Sequence, residues 1–169
     1  MLIEEDRLIK LLEIIDKAPA SRIAHFNDED ESITKVIYNF CQENKYEYHL
    51  NATDELFYDR LRGEYEGEDV INITNFNLKR ANYRVQGREY EYIFVSSHIE
   101  DIDTFLSRCY HIVKHAGNII IFIKKDDYEK KYNYIELLEK NNFVATNTID
   151  DLFEEFSVII SKRMHGWGN

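Results

Sequence analysis

Three groups of residues have types and spacings that can do chemistry. His98 lies in SSHIED (96–101), directly after the apolar run YIFVS (92–96). If that run is a strand of a doubly wound sheet, His98 stands beyond its carboxyl end. Such folds bind ligands there, and an imidazole in that zone can act as a general base. A lone histidine after a strand is also an ordinary loop residue. His111 and His115 stand four apart in a helical pattern, a spacing that can hold a metal on one helix face. No HExxH pattern accompanies them and no third ligand is evident, so no metal site is expected. The third group lies in RIAHFNDEDESITKVI (22–37), where a short apolar strand runs into Asn27 and then four acids, Asp28-Glu29-Asp30-Glu31. A helix follows, and no residue from His25 to Ser32 is glycine. Four carboxylates at a helix N-terminus repel a pyrophosphate, which argues against a NAD or FAD enzyme. The same acids complement the helix macrodipole, at about 0.3–1 kcal/mol each.

The elements that must position these residues are legible from periodicity. Residues 3–17 place Ile3, Leu8, Leu11, Leu12 and Ile15 on one helical stripe, and Pro19 stops that helix. A strand is expected over 22–26, then a helix over 33–44 with Ser32 as its N-cap and Val36, Ile37 and Phe40 inward. A second strand covers 46–52, and Asp54 opens a helix that ends near Gly63. A short strand at 70–74 precedes a stretch without periodicity, 75–89, and the apolar strand at 92–96. The stripe Ile102, Phe105, Leu106, Cys109, Ile112 and Val113 predicts a helix over 101–115, capped by Gly117. NIIIFI (118–123) reads as a buried strand, and 126–140 as a helix with Tyr128, Tyr132, Ile135 and Leu138 inward. Two strands close the pattern, at 143–148 and 156–162, with too short a connection for a crossover. The expected fold is α/β: a doubly wound, mostly parallel sheet of about seven strands with an antiparallel C-terminal hairpin. One domain over 1–169 is expected, with a leading helix at 1–17 and a tail at 164–169.

Bulk properties narrow the partners. The formal net charge is −11, which disfavours nucleic acid and anionic membranes. Two groups of cations stand out locally, Arg80, Arg84 and Arg88, and Lys124, Lys125, Lys130 and Lys131; both read as solvated charged faces. Cys41 and Cys109 sit in apolar helical patterns and read as small buried hydrophobes. No apolar run reaches the roughly 20 residues of a membrane span, and no signal peptide is evident, so the expected compartment is the cytoplasm. The tail KRMHGWGN carries Trp167, the single tryptophan, a candidate contact for a protein partner or a second copy of the chain.

LSRCYHIVKHAGNIIIFIKK (106–125) resembles the helix, glycine turn and fifth strand of class I S-adenosylmethionine-dependent methyltransferases. LLEKNNFVATNTIDDLFEEFSVIISKR (137–163) resembles their last helix and closing hairpin. The resemblance implies a cofactor corner built from Asn27 and Asp28 after the first strand, where the family has a glycine-rich loop. It implies a ribose ligand near the end of the second strand, where Asp54 stands; a carboxylate there accepts two hydroxyls, or caps its helix. It implies an adenine contact at Asn75 and Phe76, by amide pairing and stacking, and a catalytic position at His98. The loop departs from the family: its side chains point into space that a nucleoside needs. Its acids leave a cationic ligand electrostatically acceptable. The reading is a diverged methyltransferase-fold protein with lost or weakened S-adenosylmethionine binding, acting as a binding or assembly module. The alternative is an active methyltransferase on a small-molecule or protein substrate.

Overall fold

The computed structural model describes residues 3–85 and 88–164. Trp167 lies outside the described residues. The elements in chain order are α1 (Glu5–Glu13), β1 (Arg22–Asn27), α2 (Glu31–Asn44), β2 (Glu47–Ala52), α3 (Glu55–Glu64) and β3 (Ile71–Asn75). Then come β4 (Tyr90–Val95), α4 (Ile102–Tyr110), β5 (Val113–Lys124), α5 (Tyr128–Lys140), β6 (Phe143–Ile149) and β7 (Phe156–Arg163). The seven strands form one sheet in the order β3-β2-β1-β4-β5-β7-β6. Pairing is parallel from β3 through β5, and β7 runs antiparallel to both β5 and β6.

Alternation along the strands splits the core into two layers. Ile23, Tyr48, Leu50 and Phe94 face Leu8, Leu11 and Leu12 of α1, Ile33 and Ile37 of α2 and Phe57 of α3. Ala24, Phe26, Ile93 and Val95 face the other way, toward Phe105 and Leu106 of α4 and Leu138 of α5. Both cysteines are buried and free.

Four helices begin at an aspartate whose side chain accepts a backbone N–H: Asp30, Asp54, Asp101 and Asp127. Asp30 therefore displaces Ser32 as the cap of α2, starting the helix at Glu31. Four further local expectations are corrected. The first helix is shorter than its stripe, ending at Glu13. α4 stops at Tyr110 with His111 as its C-cap, and Val113 already belongs to β5, so His111 and His115 share no helix face. Ile112 and Val113 continue the helical stripe in sequence but are β-branched and are buried all the same. Gly117 caps nothing. It sits in an irregularity where two steps along β4 (Tyr90 to Tyr92) match five along β5 (Val113 to Asn118). A Cβ there would meet Val113 Cγ2 at 2.8 Å, the Lys114 carbonyl at 2.9 Å and the Glu91 carbonyl at 3.0 Å. On α5, Tyr134 and Leu138 form the buried stripe, while Tyr128 and Tyr132 are 62% and 63% exposed. A helix with tyrosines on two faces offers no period that selects between them, since the phenol tolerates either side.

Candidate functional site

The carboxyl ends of β1, β2, β3 and β4 form one edge of the sheet, and the loops that leave them are tied together. Thr53 N donates to the Asn27 carbonyl at 3.0 Å, and Thr53 Oγ1 meets Ser97 Oγ at 2.7 Å. Ser96 N and Ser97 N both donate to the Phe26 carbonyl, at 2.9 and 3.1 Å. Phe76 N donates to the Ala52 carbonyl at 2.8 Å. Of these, the Ser96 and Ser97 bonds to Phe26 and the Thr53–Ser97 contact span the point where the strand order reverses, between β1 and β4.

Asn27 explains how a glycine-free loop turns here. Its side chain is fully buried; Oδ1 accepts from Asp30 N at 3.2 Å, and Nδ2 donates to the Asp30 carbonyl at 2.7 Å and to Thr34 Oγ1 at 3.0 Å. The amide thus supplies the turn's hydrogen bonds from a side chain. Asp28 Oδ2 accepts from His98 N at 2.8 Å. Burial raises the Asp28 pKa above its ordinary value, with the His98 N–H pulling the other way and Glu29 adding to the rise. Asp30 is raised by burial too; its Oδ1 caps α2 and its buried Oδ2 has no hydrogen-bond partner among the described residues.

Beneath this loop lies a buried histidine. His25 Nδ1 meets Tyr48 Oη at 2.7 Å and Nε2 meets Ser96 Oγ at 2.7 Å. Ser96 Oγ also lies 3.3 Å from the Phe26 carbonyl; when its hydroxyl donates there, Nε2 is the protonated nitrogen and Nδ1 accepts from tyrosine. Burial pushes the His25 pKa down to about 3, and the ring is neutral.

A cleft of ≈ 630 Å³ opens beside this edge, between the segment after β3 and the start of α4. Phe76, Tyr83, Ile99 and Phe105 form its apolar floor, and Asn75, Asn77, His98 and Arg108 stand at its rim. The rings pack edge-on, Phe76 to Tyr83 at 4.8 Å and Phe26 to both Phe76 (5.2 Å) and Phe105 (5.0 Å). Tyr83 Oη donates to the Leu78 carbonyl at 2.6 Å and Arg108 Nη1 donates to the same oxygen at 3.0 Å, which pins the aperiodic segment onto α4. A hollow of ≈ 650 Å³ along α5 is lined only by polar and aromatic side chains of residues 127–136, with no second element converging on it.

The structure brings Asn75, Phe76 and His98 together in the cleft and leaves Asn27, Asp28 and Asp54 out of its lining. Asp54 caps α3, accepting from Phe57 N at 3.0 Å. The His98 imidazole is exposed, and no side chain among the described residues hydrogen-bonds it. Periodicity missed Tyr83 because it sits in a segment with no period. Its one signal is that it is the single aromatic between Phe76 and Tyr90. Among the described residues no group of three His, Cys, Asp or Glu side chains gathers to hold a metal, and no helix is long and apolar enough to cross a membrane.

A seven-stranded sheet in this order, with β7 reversed and helices on both faces, is the class I S-adenosylmethionine-dependent methyltransferase fold. Among solved structures, a SAM-dependent methyltransferase from Aquifex aeolicus superposes with a TM-score of 0.76 at 10% identity, over 95% of this chain and 90% of that one. The CurJ carbon methyltransferase gives 0.72 at 13% identity over 93% of this chain, and a SAM-dependent O-methyltransferase from Thermotoga maritima 0.72 at 8% over 98%. The chain spans 52% and 66% of the length of those two. No family model and no curated protein matches the sequence.

Proposed function

We propose that this chain is a methyltransferase-fold binding module whose S-adenosylmethionine site is lost or greatly weakened. One observation carries the reading. The turn after β1 is filled by the Asn27 side chain and strapped to the loop after β4 by the Asp28–His98 bond. A nucleoside with a charged tail needs that corner, and the residues present do not fit it. Asn27, Asp28 and Asp54 are each spent on bonds within the chain. The cleft meets the corner at His98, but Asn27, Asp28 and Asp54 do not line it. Its aromatic floor suits one face of a flat small molecule, and Asn75 and Asn77 offer amides at the rim.

Thermal unfolding with and without S-adenosylmethionine or S-adenosylhomocysteine tests this. A ligand at 100 times its Kd stabilises by about 2.7 kcal/mol, a Tm rise of roughly 5–10 °C at this length. The expected result is no shift at millimolar ligand; a rise of that size overturns the reading.

A second reading, an active S-adenosylmethionine-dependent methyltransferase on a small-molecule or protein substrate, is favoured by a different observation. Asn75, Phe76 and His98 do meet in one cleft at the carboxyl edge of the sheet, as a nucleoside contact and a base require. The same melt decides between the two. As a module, the chain needs a partner, and Trp167 is the proposed contact. Deletion of residues 164–169 is expected to lower the mass measured by light scattering or abolish partner capture; unchanged assembly counts against the tail.

A further inference from the structure

The end of the sheet opposite the cleft runs against the charge of the whole protein. The chain carries 32 acids and 21 Lys and Arg. Yet the starts of β1 and β5, the end of β7 and the segment before β4 converge on a hollow of ≈ 590 Å³. Arg22, Arg84, Arg88, Lys114 and Arg163 wall it beside His111, and Glu89 is the acid on the wall among the described residues. Glu47 holds Arg22 at 2.8 Å and Glu91 holds Lys114 at 2.6 Å. Arg84, Arg88 and Arg163 have no carboxylate partner among the described residues. Arg84 Nη2 donates to His111 Nδ1 at 3.2 Å, and Arg88 Nη1 lies 3.3 Å from His49 Nε2. Arg163 Nη1 donates to the Val113 carbonyl at 2.5 Å, its guanidinium lies 4.3 Å over the Tyr110 ring, and its buried Nε has no hydrogen-bond partner among the described residues.

Three guanidinium groups from two separate segments repel one another, and Glu89 is the one acid on the wall to offset them among the described residues. In a chain this rich in carboxylates, their convergence points to negative charge supplied from outside. We propose that this hollow binds a compact, multiply charged phosphate-bearing small molecule. Guanidinium forks match phosphate oxygens two at a time, which a lysine cannot do. Arg163 is fixed by its ring contact and backbone bond, so little of its freedom remains to be lost on binding. The volume suits a small ligand. A nucleic acid strand would run beyond the hollow onto a surface of net charge −11 and be repelled. The hollow shares no lining residue with the cleft, although Tyr83 of one and Arg84 of the other are sequence neighbours, so it stands or falls independently of the proposed function.

Calorimetric titration with pyrophosphate tests it, with citrate as a carboxylate anion of comparable charge. Pyrophosphate is expected to bind, and the double variant Arg84→Gln/Arg88→Gln to lose at least tenfold in affinity; citrate, whose carboxylates the same forks can pair, measures how far charge alone suffices. Lys10→Gln/Lys35→Gln, which removes the same charge from exposed helix positions, is expected to bind as the parent does. Independently of any variant, pyrophosphate is expected to shift the His111 ring resonances. Absence of binding at millimolar pyrophosphate, citrate binding more tightly than pyrophosphate, equal affinity in the arginine variant or an unmoved His111 would each overturn the proposal.

Discussion

The Asp28 carboxylate accepts a hydrogen bond of 2.8 Å from the backbone N–H of His98, 70 residues away in sequence. It joins the loops after β1 and β4, the two strands between which the sheet order reverses. In this fold class a ligand lies across that crevice. Here a side chain lies across it.

Asp28→Ala is expected to release the strap. Hydrogen bonds to charged groups contribute about 1.5–3 kcal/mol, so the His98 amide should exchange with solvent tenfold faster or more. An unchanged exchange rate at His98, read by NMR, would show that the loop stays closed without the carboxylate.

His25 makes stability fall with acid. Its folded pKa, about 3, lies below its ordinary 6.5, so its contribution is complete above pH 6.5 and is lost as pH falls toward 3. Between pH 7 and 5 the loss is about 2 kcal/mol. His49, lowered to about 4 by burial and by Arg88, acts in the same direction. Asp28 and Asp30, both raised, act oppositely: their contributions are greatest below pH 3.8 and are lost as pH rises through their folded values. Urea unfolding of His25→Gln, which keeps a donor and an acceptor, is expected to show a flatter dependence from pH 7 to 5. A slope equal to the parent's would place the titration elsewhere.

Asp54→Ala is expected to cost about 1 kcal/mol, the worth of an N-cap, and Asp54→Ser to recover most of it. Because Asp54 does not line the cleft, ligand binding there should be unchanged in both. A binding loss without a stability loss would return Asp54 to the ligand.

Gly117→Ala is expected to destabilise by about 1–3 kcal/mol, since two of the three atoms its Cβ meets within 3.0 Å are backbone carbonyls that cannot step aside. Denaturant midpoints measure it; a neutral result would mean that β5 shifts along β4.

The architecture is legible where strands are short apolar runs and helices carry one clean stripe, as in α1 and α2. Where the stripe is ambiguous, the pattern does not fix the element. Ile112 and Val113 extend α4's period yet are taken by the turn and by β5, and tyrosines on both faces of α5 hid which face is buried. His98 is expected at the carboxyl edge because ligands sit beyond the ends of parallel strands, and Asn75 and Phe76 are expected there from the family resemblance; the fold sets all three in one cleft. Asn27 was recognised as standing where a glycine is wanted. That its amide would close the turn from within depends on Thr34, seven residues on, and on the loop's own backbone, which no local pattern encodes. The cationic hollow was the least legible, because Arg22, Lys114 and Arg163 are far apart in sequence and meet only through strand order.

The reversal of β7 has a practical consequence. It carries the chain back past β5 and delivers Arg163 to the pole away from the cleft, where Met164 N is bonded to the Asn142 carbonyl at 2.9 Å. A surface tether attached after Met164 would therefore leave from beside the arginines. Immobilised that way, the protein would present its aromatic cleft to flowing analytes while crowding the arginine hollow, and an amine-reactive linker on Lys79 at the cleft would do the converse.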